Sequence, residues 1–245
     1  MSFQNTPGTG WGGQGTSGPG TGGQVTAQPA VAASTSFLTH AFMWMFIGLL
    51  LSAGVALFAQ NSPALVTFAE TYGLLLLIAI LVLPFVISLG INRIGATAAL
   101  GLFFVYAATL GLVFGLIVAS YPGQTVVAAF LSSAGMFGGA ALYGATTKRS
   151  LTGLGGILTM GLIGLLVAMV VNLFLASSTI GWLLSIVGVV LFTALTAYDV
   201  QRISVGQLVT MTGSVEKAAV LGALRLYLDF VNLFLFMLRL LSGRR

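Results

Sequence analysis

The last apolar segment of the chain, from Ala218 to Leu241, places the strongest constraint on the fold. About 20 apolar residues in a helix cross a hydrocarbon core of about 30 Å, so this segment is long enough to span a bilayer. It nevertheless contains Arg225 and Asp229, which lie one helical turn apart on the same face. At about 1.5 Å per residue from Ala218, Asp229 lies about 16 Å deep, near the middle of a membrane. Because an ionisable group there costs at least about 2.5 kcal/mol, we expect Asp229 to face a partner or a water-filled cavity.

The overall composition indicates a membrane protein. Of the 245 residues, 58% are hydrophobic and only 5% are charged, whereas soluble domains contain about 25% charged residues. The lipid bilayer is therefore the expected partner, and the excess of Lys and Arg does not predict nucleic-acid binding. The absence of Cys excludes disulfides, thiol nucleophiles and thiolate metal sites.

Residues 1–36 differ from the rest of the chain. They are rich in Gly, Thr, Ser, Gln and Pro and carry no charged side chain. Such a stretch buries too little apolar surface to offset the entropy of ordering, so we predict a disordered N-terminal tail. The remainder, 37–245, is predicted to be one transmembrane domain of seven helices.

Seven apolar runs follow the tail, separated by short turn-like breaks. Seven crossings are the favoured interpretation, and the alternative is a last run that re-enters the membrane instead of crossing it. Gly111 and Gly115 in the third run form a GxxxG pattern, as do Gly135 and Gly139 in the fourth, and both patterns favour close helix packing. The runs cover about 37–58, 72–91, 96–119, 124–145, 152–176, 180–203 and 216–241.

The basic residues of the breaks are distributed unevenly. The second, fourth and sixth breaks contain Lys or Arg, whereas the first, third and fifth contain none. The positive-inside rule therefore predicts a cytoplasmic N-terminus in a cell membrane. Seven crossings then place Arg244 and Arg245 outside, which conflicts with the same rule, and a re-entrant last segment would remove this conflict. The basic residues of the even-numbered breaks are Arg93, Lys148, Arg149, Arg202 and Lys217.

A second carboxylate, Asp199, lies toward the cytoplasmic end of the sixth run, in LFTALTAYDVQRIS. Two buried carboxylates within hydrogen-bonding distance cannot both ionise easily, so Asp199 and Asp229 would titrate as a unit and form a proton-sensitive latch. The same oxygens suit a hard cation, which makes the two residues candidate Ca²⁺ ligands. Arg202, Arg225 and Asn232 are accessory candidates.

Local ion pairs are the alternative interpretation of these residues. Asp199 with Arg202, at i, i+3, could merely lower the cost of membrane insertion. Arg225 with Asp229, at i, i+4, could do the same, although Arg before Asp is the weaker order on a helix. Spacing alone does not establish contact between the two carboxylates, because Asp199 lies nearer the membrane face.

Few residues are available for catalysis. The only His, His40, lies in an aromatic setting at the start of the first run, where packing is the favoured role. Without another His or a Cys, zinc hydrolysis and Ser-His proteolysis both lack parts. Two aspartates are the minimum for an intramembrane aspartyl protease, but neither lies in a GxGD context. We therefore expect no enzymatic activity, no catalytic residue and no permanently bound cofactor.

The residues around the two aspartates carry a resemblance to a known family. TAYDVQRIS, followed by ALRLYLDFVNLFLFMLRLL, resembles the C-terminal hallmark of the Bax inhibitor-1 family, in a prokaryotic-type member. INRIGATAALGLFFVYAATLGL and YGATTKRSL are similar to the third-to-fifth helix region of that family. The resemblance covers about 37–241, is most specific in the paired-Asp portion, and leaves the Gly-rich tail outside.

The resemblance implies both a fold and an activity. The implied fold is an all-α bundle of seven transmembrane helices, with the last helix central and wrapped by the other six. The implied activity is a pH-sensitive leak that passes Ca²⁺, the permeant ion, down its gradient. Its two-aspartate sensor maps onto Asp199 and Asp229, and its latching arginine from the second helix maps onto Arg93. The alternative is an interaction protein that regulates a membrane protease or a cell-death-related partner without conducting ions.

Overall fold

A computed structural model of the protein describes the backbone of residues 28–243 and the side chains of residues 37–243. Within this range the chain forms nine α-helices and one short 3₁₀ turn, and none of the described residues lies in a β-strand. The predicted all-α class is confirmed. The helices are α1 (Gln28–Gln60), α2 (Pro63–Thr71), α3 (Gly73–Gly90), α4 (Ala96–Ala119), α5 (Gly123–Thr146), α6 (Gly155–Leu175), α7 (Ser178–Ser204), α8 (Gln207–Thr212) and α9 (Val215–Leu241), with the 3₁₀ turn at Thr152–Leu154.

Seven of these helices are long and apolar enough to cross a membrane. They are α1 from Phe37 onward, α3, α4, α5, α6 with its preceding turn, α7 and α9, and they match the seven predicted runs to within a few residues. The last of them, α9, is one uninterrupted helix of 27 residues. At about 1.5 Å per residue it is about 40 Å long, which favours crossing over the re-entrant alternative.

The two short helices lie in breaks for which only turns or loops were predicted. Pro63 begins α2. The N–H groups of the first helical turn have no partner within the helix, so the N–H that proline lacks is not needed there. Gly206 and Gly213 bound α8, with φ of 72° and 66°, a conformation that glycine adopts without steric cost. Both helices are too short for an apolar period to reveal them.

The start of α1 does not coincide with the predicted end of the tail. The helix begins at Gln28, before the predicted end of the tail. The division into a tail of 1–36 and a helical domain of 37–245 stays a prediction. The disorder predicted for residues 1–27 concerns a part of the chain that lies outside the described residues.

The last helix is the most deeply buried of the seven. In its most apolar window 78% of the residues are buried, and no other candidate span exceeds 39%. It packs most extensively against α7, α1 and α5, with smaller contacts to α8, α4 and α3. Because α6 packs mainly on α7, the implied arrangement in which all six other spans wrap the last helix is not reproduced in full.

The predicted close packing of the first GxxxG pair is confirmed. A Cβ at Gly111 would collide with the backbone of Ser52, and a Cβ at Gly115 would lie 2.9 Å from the carbonyl oxygen of Ala56. These two glycines therefore let α4 approach the backbone of α1, which is how small residues act between membrane helices.

The same prediction for the second GxxxG pair is wrong. Nothing lies within 4 Å of a Cβ built at Gly135 or Gly139, so these residues make no close helix contact. The close approach of α5 occurs instead at Gly144, where a Cβ would collide with the backbone of Ala197 in α7. This crossing brings α5 against the segment of α7 that carries Asp199.

Candidate functional site

The two aspartates occupy facing helices in the interior of the bundle. Asp199 lies near the C-terminal end of α7, and Asp229 lies close to the middle of α9. The two helices pack extensively on one another. Asp199 is 8% exposed and Asp229 is 5% exposed, so both carboxylates have lost most of their water. Buried charges of this kind normally have a partner.

That partner for Asp199 comes from α9. The Nη1 atom of Arg225 donates a hydrogen bond to Oδ1 of Asp199 at 3.2 Å. This is the one ion pair among the side chains of residues 37–243, and it joins two helices across 26 positions of sequence. The alternative of a local pair between Arg225 and Asp229 is therefore not what the structure forms.

The second carboxylate has a different environment. Oδ2 of Asp229 is buried and has no hydrogen-bond partner among the described residues. Asp229 lies within electrostatic range of both Asp199 and Arg225. One arginine therefore faces two carboxylates, and it forms its ion pair with only one of them.

The accessory residues Arg202 and Asn232 are engaged elsewhere. Nε of Arg202 donates to Oε1 of Gln207 at 2.8 Å, and the guanidinium carbon lies 5.4 Å from the ring centroid of Tyr198. Arg202 thus connects α7 to α8 and forms no ion pair with Asp199, although it lies within electrostatic range of that carboxylate. Nδ2 of Asn232 donates to the carbonyl of Leu228 in its own helix at 2.8 Å.

Arg93 does not reach the carboxylates in this structure. It lies exposed in the turn between α3 and α4, and the guanidinium that pairs with Asp199 is that of Arg225. The physical reason is position: Arg93 follows the end of α3 at the edge of the bundle, whereas Arg225 lies inside the buried helix. The mapping of the latch onto Arg93 gains no support from this geometry, and its role stays a prediction.

Gln201, two residues after Asp199 in α7, is a further polar residue of the site that was not predicted. Its Nε2 donates to the carbonyl of Arg149 at 2.9 Å, and its Oε1 accepts from the backbone N–H of Leu151 at 2.7 Å. Gln201 therefore ties the connection between α5 and α6 to the α7 segment that carries the carboxylate. The available signal was its place in TAYDVQRIS, two residues after the aspartate.

Asp199 and Asp229 are the buried acidic residues available as metal ligands at this site. Within residues 28–243 there is no group of three or more His, Cys, Asp or Glu side chains that could hold a metal ion. Calcium takes six to eight oxygen ligands, and Asp199 and Asp229 together supply only part of such a shell. The fold and the site together define a polytopic helical membrane protein with an arginine and two aspartates in its interior.

Comparison with known proteins shows the family. A family model described as "Inhibitor of apoptosis-promoting Bax1" matches residues 34–245, and the chain belongs to this Bax inhibitor-1 family. It is 40% identical over 220 residues to "Inner membrane protein YbhL" of Escherichia coli strain K12, covering 87% of this chain and 94% of that protein. An uncharacterized protein of Deinococcus radiodurans is 40% identical over 210 residues, covering 85% and 91% of the two chains. Another from Borreliella burgdorferi is 40% identical over 220 residues, covering 88% and 95%.

Proposed function

We propose that this protein is a pH-sensitive calcium leak that passes Ca²⁺ down its gradient and is gated by protonation of the Asp199 and Asp229 site. Membership of the Bax inhibitor-1 family supports the proposal. The single observation that carries the proposal is the difference between the two carboxylates. Arg225 pairs with Asp199, whereas Oδ2 of Asp229 is buried without a hydrogen-bond partner among the described residues. A buried carboxylate oxygen without a donor can be relieved by a proton or a cation.

The closed state is held by charge. The ion pair between Asp199 and Arg225 joins α7 to α9 only while Asp199 is ionised. Protonation of Asp199 removes its negative charge, and the attraction that holds the two helices together weakens. The leak is therefore low at neutral pH and increases as the pH falls. Arg225 takes the latching role in this mechanism, since it already bonds the carboxylate.

The calcium ion is the cargo of this site. Carboxylate oxygens are ligands that Ca²⁺ prefers, and two of them satisfy only part of its coordination shell. Conduction requires an affinity high enough for the ion to enter the site and low enough for it to leave, which an incomplete coordination shell provides.

The proposed location is a cell membrane, and the E. coli relative is named an inner membrane protein. The positive-inside rule supports a cytoplasmic N-terminus, with the connection between α5 and α6 on the same side. Gln124→Cys and Ser150→Cys test this orientation in a chain that has no other Cys. An impermeant thiol reagent applied to intact cells should label only the first, and labelling of the second alone would invert the proposed topology.

Calcium flux by the purified protein in liposomes tests the proposed function. Full-length protein should release Ca²⁺ down its gradient, faster at acidic than at neutral pH, while empty liposomes do not. The interaction protein considered as an alternative would carry no flux at any pH. Absence of flux from correctly folded protein would therefore reject the channel proposal.

Substitution of the aspartates tests the gate. Asn matches the shape of a protonated Asp but cannot ionise, so Asp199→Asn and Asp229→Asn should each flatten the pH dependence of the flux. The double variant should add little to either single one, because residues that share a site are not additive. Glu70→Gln is the matched control, since it removes an exposed carboxylate from α2. Unchanged pH dependence in both folded Asp variants would return these residues to a structural role.

A further inference from the structure

A second polar site lies at the C-terminal end of α9, where α6 ends and α7 begins. A cavity of about 490 Å³ opens at this place. Polar side chains from three helices and from the link between α6 and α7 line it, among them Asn172, Ser177, Ser185 and Arg239. None of the residues that line the cavity is acidic. The charged side chain among these lining residues is the positive Arg239.

The guanidinium of Arg239 lies over the first turn of α7. A Cβ at Gly181 would collide with this guanidinium and would lie 3.2 Å from Nδ2 of Asn172. The missing side chain of Gly181 thus makes room for both groups and makes them neighbours. Arg239 forms no ion pair with another side chain of residues 37–243, where the one pair joins Arg225 to Asp199.

Asn172 is the second independent observation. It is only 8% exposed, and its Oδ1 is buried without a hydrogen-bond partner among the described residues. The neighbouring hydroxyls are already engaged, because Ser177 accepts from the N–H of Ile180 and Ser185 donates to the carbonyl of Gly181. This oxygen is an acceptor with almost no accessible surface, so it is not the atom that meets a ligand. The amide presents its donor Nδ2 beside the guanidinium of Arg239 at Gly181, and donors that converge at one place favour an anionic ligand.

The charges around the cavity favour an anion. The N-terminus of α7, a helix of 27 residues, lies at the same place and carries the positive end of the helix dipole. A guanidinium binds phosphate through two parallel hydrogen bonds, a geometry that the ammonium of Lys does not match. We propose that this cavity binds the phosphate group of a phospholipid headgroup. Arg239 and the start of α7 hold the phosphate, and Nδ2 of Asn172 donates a hydrogen bond to it.

A lipid is a better source of this phosphate than the free ion. The end of α6 beside the cavity presents an apolar surface, with Leu173 78% exposed and Phe174 84% exposed. Acyl chains can cover this surface while the phosphate remains at the helix ends, where the headgroup layer of a bilayer lies.

Native mass spectrometry of the full-length protein tests the site. Delipidated protein is titrated with phosphatidylglycerol and, separately, with a diacylglycerol that has the same acyl chains and no phosphate. Phosphatidylglycerol should be retained and diacylglycerol should not. Arg239→Gln should weaken retention on the order of tenfold or more, the usual effect of losing a charged hydrogen-bond donor. Arg149→Gln, another exposed arginine in the connection between α5 and α6, is the control and should bind like the parent.

A second variant keeps the test decisive if Arg239→Gln does not fold. Gly181→Ala retains the arginine but places a methyl group where its guanidinium lies, and Ala favours the helix more than Gly does. It should therefore fold and bind phosphatidylglycerol more weakly. Equal retention by the parent, Gly181→Ala and Arg239→Gln would overturn the site, as would equal retention of both lipids. Displacement of the lipid by inorganic phosphate supports phosphate recognition, whereas binding of inorganic phosphate without lipid retention would overturn the assignment to a lipid.

Discussion

The helices α3 and α9 show opposite relations between polarity and burial. The most apolar of the seven candidate spans is α3, yet only 6% of its window is buried. In contrast, α9 carries Arg225, Asp229 and Asn232, and 78% of its window is buried. In water the apolar helix would be the interior one, but lipid solvates apolar side chains as well as a protein interior does. The polar helix therefore lies inside because its charges need protein partners, not because it is hydrophobic.

The largest effect that tests this contrast is the loss of packing inside the bundle. Leu233 in α9 is 0% exposed, whereas Leu89 in α3 is 81% exposed. Leu233→Ala should lower the free energy of unfolding by roughly 2–5 kcal/mol. We expect the lower half of that range, because a leucine side chain gains less free energy on moving from lipid into the protein than on moving from water. Leu89→Ala should change it by less than about 0.5 kcal/mol. Equilibrium unfolding of both variants in the same mixed micelles compares them, and equal losses would contradict the contrast.

A smaller effect is expected where two helix backbones meet. Gly144→Val adds a side chain that collides with the backbone of Ala197, which cannot move aside as a flexible side chain can. We expect a loss of about 1–3 kcal/mol, typical of overpacking. Gly135→Val in the same helix is the matched control, since nothing lies within 4 Å of its Cβ. The thermal unfolding midpoint of the detergent-solubilised protein should fall for the first variant only; a similar fall for both would show that loss of the crossing is not the cause.

The smallest of the three effects concerns the buried ion pair. Arg225→Ala removes the guanidinium that bonds Asp199 and should raise Ca²⁺ leak at neutral pH in liposomes. The side chain of Arg225 is 25% exposed, so we expect the pair to contribute about 1 kcal/mol, which corresponds to a several-fold rise in leak.

Arg93→Ala is the control for this substitution and also tests the role that the family resemblance implies. Arg93 is exposed at the end of α3 and does not contact the carboxylates, so its removal should leave the leak unchanged. A rise in leak with Arg93→Ala but not with Arg225→Ala would restore Arg93 as the latch.

The spans were predictable because each is a continuous apolar run between turn residues. The arrangement of the spans was not predictable, because hydropathy does not indicate whether α3 or α9 faces lipid. The two aspartates stood out because any ionisable residue at mid-membrane depth is costly. The partner of Asp199 could not be identified in this way. Helical spacing relates residues three or four positions apart, whereas Arg225 is 26 positions away. Gln201 was missed for the same reason, since both of its bonds reach a distant loop.

The crossing of α5 and α7 at Gly144 and Ala197 limits how the gate can move. Contact between two backbones leaves no side chain to rearrange, so α7 cannot slide along α5 without separating from it. The carboxylate of Asp199 lies one residue beyond Tyr198, directly after this contact, and Gln201 fastens the following turn to the surface connection. Under the proposed gating, the crossing is a pivot about which the end of α7 tilts when Asp199 is protonated. A tilt about a point so close to the carboxylate moves Asp199 little, and it moves the C-terminal end of the helix and the attached connection further.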